Sequence, residues 1–251
     1  MLSHPTLDQL RALRLTGMAA ALEEQRHTTD IGSLDFEQRL GLLVDREITV
    51  RRNRQLQTRL KQAQFQQQAA WEDLDFTTTR GLDKALMLQL ASGQWLDQHL
   101  NCLITGPTGA GKSYVATALA HKACREGYSA RYLRLPRLIQ SLASAKGDGT
   151  YPKLLKQFAR FDLLVIDDWG IPALHSNDQR DLLEILDDRF NLRSTIVTSQ
   201  LPVTHWHEYL GQATLADAIL DRLVHNAYKI ELKGESMRKR KSPLTAHPAQ
   251  G

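Results

Sequence analysis

A glycine-rich loop that follows a short apolar run contains the residues with the clearest chemical potential. Within CLITGPTGAGKSYVA, residues 102–116, Gly106, Gly111, Lys112 and Ser113 have the spacing G-x-x-x-x-G-K-S of a phosphate-binding P-loop. Such glycines let successive backbone N–H groups point at phosphate oxygens, and the following helix adds its positive end. We expect Lys112 to reach the β- and γ-phosphates and Ser113 to hold Mg²⁺. The pattern predicts a nucleotide site whose loop is completed by Pro107, Thr108, Gly109 and Ala110.

A second motif, FDLLVIDDWG at residues 161–170, places two acids at the end of an apolar run. The run predicts a buried strand that delivers Asp167 to Mg²⁺ beside the P-loop hydroxyl, as in a Walker B motif. Asp168, one residue further on, is suited to orient or polarise the attacking water. The alternative for Asp168 is an ordinary loop or cap residue. Because packing explains two adjacent acids at a strand end poorly, we favour the functional interpretation.

Composition is typical of a globular protein that buries one core of ordinary size. The 251 residues are 42% hydrophobic and 24% charged, and no apolar stretch approaches the ~20 residues that a membrane span needs. The N-terminal MLSHPTLDQLRALR lacks the charged start and apolar centre of a secretory signal. Cys102 and Cys124 give little to a disulfide framework. We therefore expect a cytoplasmic protein with reduced cysteines and no membrane partner.

Charge is distributed unevenly along the sequence. The formal net charge is +4, yet residues 46–61 carry +5 and residues 131–160 carry +6, followed by −7 over residues 161–188. Basic segments that flank an acidic, nucleotide-handling segment favour a polyanionic partner besides the nucleotide. Because Lys and Arg contact mostly phosphates, double-stranded DNA, if it is that polyanion, would be bound largely without sequence preference. Solvated helix faces would give the same composition, and this alternative stays open.

The hydrophobic pattern divides the chain into parts of different structure. Residues 1–70 have helical spacing and no strand signal, which predicts a small all-helical domain for a partner or DNA. From residue 71, short apolar runs alternate with amphipathic helical patterns, as in βαβ units around a parallel sheet covered on both faces. This α/β domain is predicted over residues 71–234. The basic remainder, residues 235–251, is expected to be disordered.

Further stretches extend the two motifs into a longer pattern, namely IVTSQLPVTHWHEYL and DAILDRLVHNAYKIELKGESMRK. With these stretches and the helical front region, residues 71–240 resemble the IstB family of transposition ATP-binding proteins, AAA+ ATPases close to the DnaC helicase loaders. The resemblance implies a P-loop AAA+ three-layer αβα core with a parallel sheet, and ATP and Mg²⁺ as cofactors. It also implies a bacterial homo-oligomer with ATP between subunits, which assembles on target DNA and assists the transposase of an insertion sequence.

The resemblance implies roles that spacing alone does not assign. The end of STIVTSQ matches sensor I, a polar side chain at the γ-phosphate or water, with Thr198, Ser199 and Gln200 as candidates. Gln200 stands where AAA+ proteins usually have Asn; without the resemblance this is a strand end before a turn. Arg222 in ILDRL matches the arginine finger, which acts on a neighbouring subunit's nucleotide; its alternative is a surface helix arginine. Phe76 and Arg80 in DFTTTRGLD match the stretch against the nucleotide base.

Two departures from the usual AAA+ pattern affect these expectations. The acids are Asp167 and Asp168 where AAA+ proteins usually have Asp-Glu, so the second carboxylate is one methylene shorter. We expect slow ATP hydrolysis that DNA or oligomerisation stimulates. Little sequence remains after Leu232 for the helical lid that carries sensor II, and Arg238 is only a weak candidate for that role.

Two other functions remain open at this point. A DnaC-like replicative helicase loader would share the ATPase motifs and differ in the partner of residues 1–70. A metabolic kinase would use the same P-loop, but it would need a small-substrate pocket and an arginine-bearing lid, neither of which is visible in the sequence. The pattern leaves open the number of subunits, the path of DNA, and whether residues 1–70 bind DNA, transposase or both.

Overall fold

The computed structural model describes residues 5–77 and 80–234. The chain packs as two compact units, Met1–Thr58 and Arg59–Gly251. The boundary that the hydrophobic pattern predicts after residue 70 stays a prediction. The predicted disordered tail, with Arg238, lies outside the described residues.

The first unit is helical, as predicted. Its helices are α1 (Pro5–Ala12), α2 (Thr16–His27) and α3 (Phe36–Ala63), of which α3 continues past the unit boundary. Glu47 Oε2 accepts hydrogen bonds from the backbone N–H groups of Gly17 (2.7 Å) and Met18 (3.2 Å). These groups lie in the first turn of α2, where backbone donors have no partner within the helix. The buried carboxylate therefore caps α2 from the neighbouring helix.

The second unit contains a five-stranded parallel sheet, which confirms the predicted α/β class. The strands are β1 (Asn101–Thr105), β2 (Ala130–Arg134), β3 (Leu163–Trp169), β4 (Ser194–Ser199) and β5 (Ala227–Glu231). Their order is β2-β3-β4-β1-β5, and every neighbouring pair is parallel. All residues of β1 and β4 are buried. Burial on both faces explains why these strands are continuous apolar runs without alternation.

Helices pack around this sheet. They are α4 (Lys84–Ala91), α5 (Gln94–Asp97), α6 (Lys112–Glu126), α7 (Leu135–Gly147), α8 (Tyr151–Arg160), α9 (Ser176–Arg189), α10 (Trp206–Leu210) and α11 (Ala213–Val224). Two of them, α7 and α8, lie consecutively between β2 and β3. The core includes Leu138, Leu164 and Ile185, and the rings of Trp169 and Trp206 lie 5.3 Å apart. Within residues 5–77 and 80–234, no helix is long and apolar enough to cross a membrane.

The sheet brings the sequence motifs to one edge. The P-loop follows the carboxyl end of β1, and Asp167 and Asp168 lie near the end of β3. Thr198 lies at the end of β4. Because β1 pairs with β4 and β5 and not with β2, the chain changes direction across the sheet next to the P-loop. Crevices at such a switch point are where open parallel sheets bind ligands.

Candidate functional site

The P-loop has a backbone that two of its glycines make possible. Gly106 has φ +143° and Gly111 has φ +98°. A Cβ atom at Gly106 would lie 2.3 Å from the carbonyl oxygen of Leu232, and one at Gly111 would lie 2.9 Å from Nη1 of Arg80. Backbone atoms leave no room for a side chain at Gly106, and at Gly111 the positive φ strains any residue with a Cβ atom. The loop therefore lies between Leu232, which directly follows β5, and the guanidinium of Arg80.

Lys112, the first residue of α6, lies over this loop. Its Nζ donates hydrogen bonds to the carbonyl oxygens of Gly106 (2.7 Å) and Pro107 (2.9 Å). Burial lowers the pKa of Lys112, while the nearby carboxylates of Asp167 and Asp168 act to raise it. A cation beside the loop, at the N-terminus of a 15-residue helix, is a suitable partner for a phosphate.

Asp167 is the centre of a buried hydrogen-bond network. Ser113 Oγ donates to Asp167 Oδ1 at 3.0 Å, so the predicted P-loop hydroxyl and Walker B carboxylate lie together. The hydroxyls of Tyr132 and Thr198 also donate to this carboxylate. The side chain is nearly inaccessible, with Asp167 only 5% exposed. Three hydroxyl donors explain how a carboxylate is tolerated there.

The oxygen atoms around Asp167 suit Mg²⁺ bound together with a nucleotide. Mg²⁺ prefers hard oxygen ligands and is usually held by one or two carboxylates plus substrate phosphates. Ser113 and Asp167 supply one hydroxyl and one carboxylate. Within the described parts of the chain, no group of three or more His, Cys, Asp or Glu side chains forms an all-protein metal site. The donor set therefore fits a metal shared with phosphate oxygens.

Asp168 has an unusual backbone and a specific partner. Its φ of +64° lies in the left-handed region, which costs a residue other than glycine about 1–3 kcal/mol. The register between β3 and β4 shifts between Ile166 and Trp169, so the chain is irregular at this position. The Asp168 carboxylate forms an ion pair with Nε of Arg134, and this contact raises the pKa of Arg134. Asp168 therefore has a strained backbone near the end of β3, and its charge acts to raise the pKa of Lys112.

The three sensor candidates occupy different places. Thr198 contacts Asp167, as described above, and its Oγ1 also accepts from the backbone N–H of Asp168 at 3.4 Å. Ser199 Oγ donates to the carbonyl oxygen of Trp169 at 2.8 Å, which is a link between strands. Gln200 is exposed, and its Oε1 accepts from Thr108 Oγ1 of the P-loop at 2.8 Å. Thr198 and Gln200 thus both reach the site: Thr198 contacts Asp167, and Gln200 contacts the P-loop.

Arg80 also lies against the P-loop, whereas Phe76 lies beside an aromatic neighbour. Arg80 is 5% exposed, its Nη2 donates to the carbonyl oxygen of Asp75 at 3.2 Å, and burial lowers its pKa. Its Nε atom is buried and has no hydrogen-bond partner among the described residues. A buried guanidinium with a spare donor next to a phosphate loop can bind an anionic or polar ligand. The rings of Phe76 and Trp71 are 6.1 Å apart.

Arg222 lies by the amino end of β1, opposite the end that the P-loop follows. It belongs to the last turn of α11, and its carbonyl oxygen accepts from Nδ2 of Asn101, the first residue of β1, at 2.8 Å. The P-loop begins only after the last residue of that strand. The structure therefore does not bring Arg222 to the P-loop of its own chain.

Sequence reasoning missed Tyr132 and Arg134 on β2. Residues two apart in a strand lie on one face, and here they direct an OH and a guanidinium to the two acids of β3. The register pairs Arg134 with Asp167. The polar residues in the strand ARYLR were the available signal, but using it required knowing that β2 is next to β3.

Comparisons with known proteins agree with this geometry. Residues 8–245 match the family described as IstB-like ATP binding protein. An insertion sequence ATP-binding protein of Sinorhizobium fredii is 51% identical over 239 residues, covering 95% of this chain and 98% of its own length. The ATP-binding protein of insertion sequence IS1162 from Pseudomonas fluorescens is 52% identical over 203 residues, covering 80% and 88%.

Solved structures share the fold. The crystal structure of DnaI matches with a TM-score of 0.58 at 22% identity, over 66% of this chain and 92% of the other. The DnaC helicase loader matches with a TM-score of 0.51 at 20% identity, over 59% and 87%. These likenesses confirm the predicted AAA+ fold. By its sequence match along nearly the whole length, the chain belongs to the IstB-like ATP-binding proteins of insertion sequences.

Proposed function

We propose that this protein is an ATP-hydrolysing, DNA-binding regulator of transposition. In this proposal ATP binding assembles copies of the chain on target DNA, the assembly assists the transposase of the same insertion sequence, and hydrolysis dismantles it. The family and the relatives named as insertion sequence ATP-binding proteins support the ATP-binding and insertion-sequence parts.

The described site supports hydrolysis of ATP. Mg²⁺, held by Ser113 and Asp167 together with phosphate oxygens, would neutralise charge on the phosphates. Lys112 would bind the β- and γ-phosphate oxygens. Asp168, whose charge acts on Lys112, would orient the attacking water through its carboxylate. Because Arg134 already pairs with this carboxylate, the ion pair would have to break or share the carboxylate with water, and we expect turnover to be slow.

The placement of Arg222 is the observation on which the proposal mainly depends. A five-residue strand such as β1 spans roughly 13 Å, and the P-loop and the Arg222 backbone are joined to its opposite ends. An arginine by the amino end of β1 is well placed to contact the nucleotide of a second copy. The active site would then exist only between two copies, which links ATP to assembly.

Exposed cations on α7 and α8 support binding of DNA. Of the basic residues in 131–160, Arg134 pairs with Asp168, and Lys146 pairs with Asp181 at 2.6 Å. Arg131 Nη1 donates to the carbonyl oxygen of Gln62. The exposed cations without a carboxylate partner among the described residues are Arg137, Lys153, Lys156 and Arg160. Arg137 and Lys153 line an open groove between the two helices. Such a surface suits phosphates more than base edges.

A mixing experiment tests the site between subunits. Arg222→Ala protein should bind ATP, because its own Lys112 loop is intact, but it should hydrolyse ATP poorly. Arginine fingers that act in trans contribute on the order of 10³–10⁵ in rate where they have been measured in GTPases. Lys112→Ala protein should fail to bind ATP. Mixing the two on DNA with ATP creates interfaces with an intact Lys112 and an intact Arg222, so hydrolysis should return.

The control is each variant alone at the same total concentration, with mixed oligomers verified by cross-linking of differently tagged chains. If mixed oligomers form and no hydrolysis returns, the site between subunits is refuted. A further arm separates transposition from helicase loading. The full-length protein with ATP should bind the transposase encoded beside it and not the replicative helicase of the host. The reverse preference would support the loader, for which the DnaI and DnaC likenesses carry the fold alone.

A further inference from the structure

The side chain of Arg222 is held by neighbours on another helix. Its Nε forms an ion pair with Oδ1 of Asp187 on α9 at 2.6 Å. Its guanidinium carbon lies 5.7 Å from the ring centre of Phe190, which directly follows α9. Nη1 contacts the carbonyl oxygen of Ala218 and the carboxylate of Asp221, both at 3.3 Å. Two of the three nitrogens are therefore engaged, and Nη2 keeps its two donors unpaired among the described residues.

We infer that Asp187 is a positioning residue for ATP hydrolysis, because it holds Arg222 in the orientation that reaches a neighbouring copy's nucleotide. The inference rests on the proposed role of Arg222 between subunits. Arginine is a long side chain, and a guanidinium already fixed by an ion pair and a ring loses less freedom when it docks. The engaged Nε and Nη1 leave Nη2 as the donor group for a phosphate oxygen.

The exposure of the Arg222–Asp187 ion pair favours a role in positioning Arg222 over a role in the stability of the fold. The side chains of Arg222 and Asp187 are 30% and 48% exposed, and ion pairs so exposed contribute little to folding. Phe190, whose ring lies against the Arg222 guanidinium, is one of the exposed large apolar residues, at 37%. A fixed cation in a partly apolar, exposed surface suits contact with a second copy of the chain whose nucleotide carries negative charge.

The opposite role would be neutralisation, in which Asp187 occupies Arg222 and slows hydrolysis. The two roles predict opposite signs. Replacing Asp187 by Asn removes the charge and keeps the size of the side chain. If Asp187 positions Arg222, hydrolysis should slow; if it neutralises Arg222, hydrolysis should accelerate.

Asp188 offers a matched control. It is adjacent on the same helix, carries the same charge and is exposed, and among the described residues it has no ion pair within 4 Å. Asp187→Asn and Asp188→Asn therefore change net charge equally. We expect Asp187→Asn in the full-length protein on DNA to lower the ATPase kcat by roughly 10- to 100-fold, the range expected when a catalytic group is misplaced by up to about 1 Å. The Kd for ATP and the thermal midpoint should stay at the wild-type values, as should all three quantities in Asp188→Asn.

Mixing variants tests whether Asp187→Asn impairs the side of the site that supplies Arg222. Asp187→Asn mixed with Lys112→Ala should regain hydrolysis, because that interface pairs an intact Lys112 with an intact Arg222 and Asp187. Asp187→Asn mixed with Arg222→Ala should not, since both chains are impaired on the same face. A general folding defect would not produce this difference.

The outcomes separate this inference from the proposed function. If Arg222→Ala leaves hydrolysis unchanged, the site between subunits fails, and the inference fails with it. If Arg222→Ala is slow but Asp187→Asn equals Asp188→Asn, only the positioning role is overturned. Faster hydrolysis in Asp187→Asn, or no recovery on mixing with Lys112→Ala, overturns it as well.

Discussion

Removing two cations from α8 should change how salt affects DNA binding. Lys153 and Lys156 are exposed and have no carboxylate partner among the described residues. The double variant Lys153→Gln with Lys156→Gln removes two charges without removing a buried contact. If these lysines neutralise phosphates, the variant releases two fewer counterions per bound chain.

The magnitude follows from which cations the fold leaves available. The sequence has seven basic residues in 131–160, but Arg131, Arg134 and Lys146 are engaged within the protein, which leaves four. At about 0.9 per neutralised phosphate, the slope of log K against log salt should be about −3.6 per chain for these helices. The double variant should have a slope near −1.8, or a loss of about 12-fold instead of about 150-fold between roughly 50 and 200 mM salt. Any contribution from residues 46–61 adds equally to both.

Fluorescence anisotropy with a labelled duplex and a non-hydrolysable ATP analogue measures this slope directly. Lys84→Gln with Lys229→Gln is the matched control, since both lysines are exposed. A hydrogen bond of 3.0 Å joins Gln89 of α4 to Tyr228 of β5, so both control residues lie by the strand farthest from β2. An unchanged slope in the α8 variant would refute these lysines as part of the DNA site. So would an equal change in the control, or strong preference for one short sequence over its scrambled form.

Further predictions concern the nucleotide site. Lys112→Ala should abolish or greatly weaken ATP binding, which nucleotide titration measures, because it deletes the cation over the P-loop. Asp168→Asn should keep the ATP Kd and slow hydrolysis, which phosphate release measures. Unchanged turnover in Asp168→Asn would remove this residue from the catalytic group. Tyr132→Phe deletes a hydrogen bond that orients Asp167. It should raise the Mg²⁺ concentration needed for half-maximal ATP binding by about 10- to 100-fold, the usual loss of metal affinity when a residue behind a metal ligand is removed. A Mg²⁺ titration that matches the wild type would contradict the role of Tyr132.

Chemistry that depends on residues close together in the chain could be predicted from the amino-acid sequence. A P-loop is one continuous turn, so its glycines, Lys112 and Ser113 are recognisable from spacing alone. The apolar run before Asp167 likewise identifies a buried strand, because burial on both faces requires apolar residues at successive positions. The parallel sheet and the helical front region follow from the same periodicity.

Contacts between residues far apart in the chain became visible only in the folded protein. Tyr132 and Arg134 reach Asp167 and Asp168 because β2 lies next to β3, and strand order is a long-range property that local periodicity does not encode. The same order separates Arg222 from its own P-loop and pairs it with Asp187, 35 residues earlier. Basic residues that look equivalent in the sequence also divide into paired and exposed ones. Each of these outcomes depends on contacts between segments far apart in the chain, which form only when the core brings those segments together.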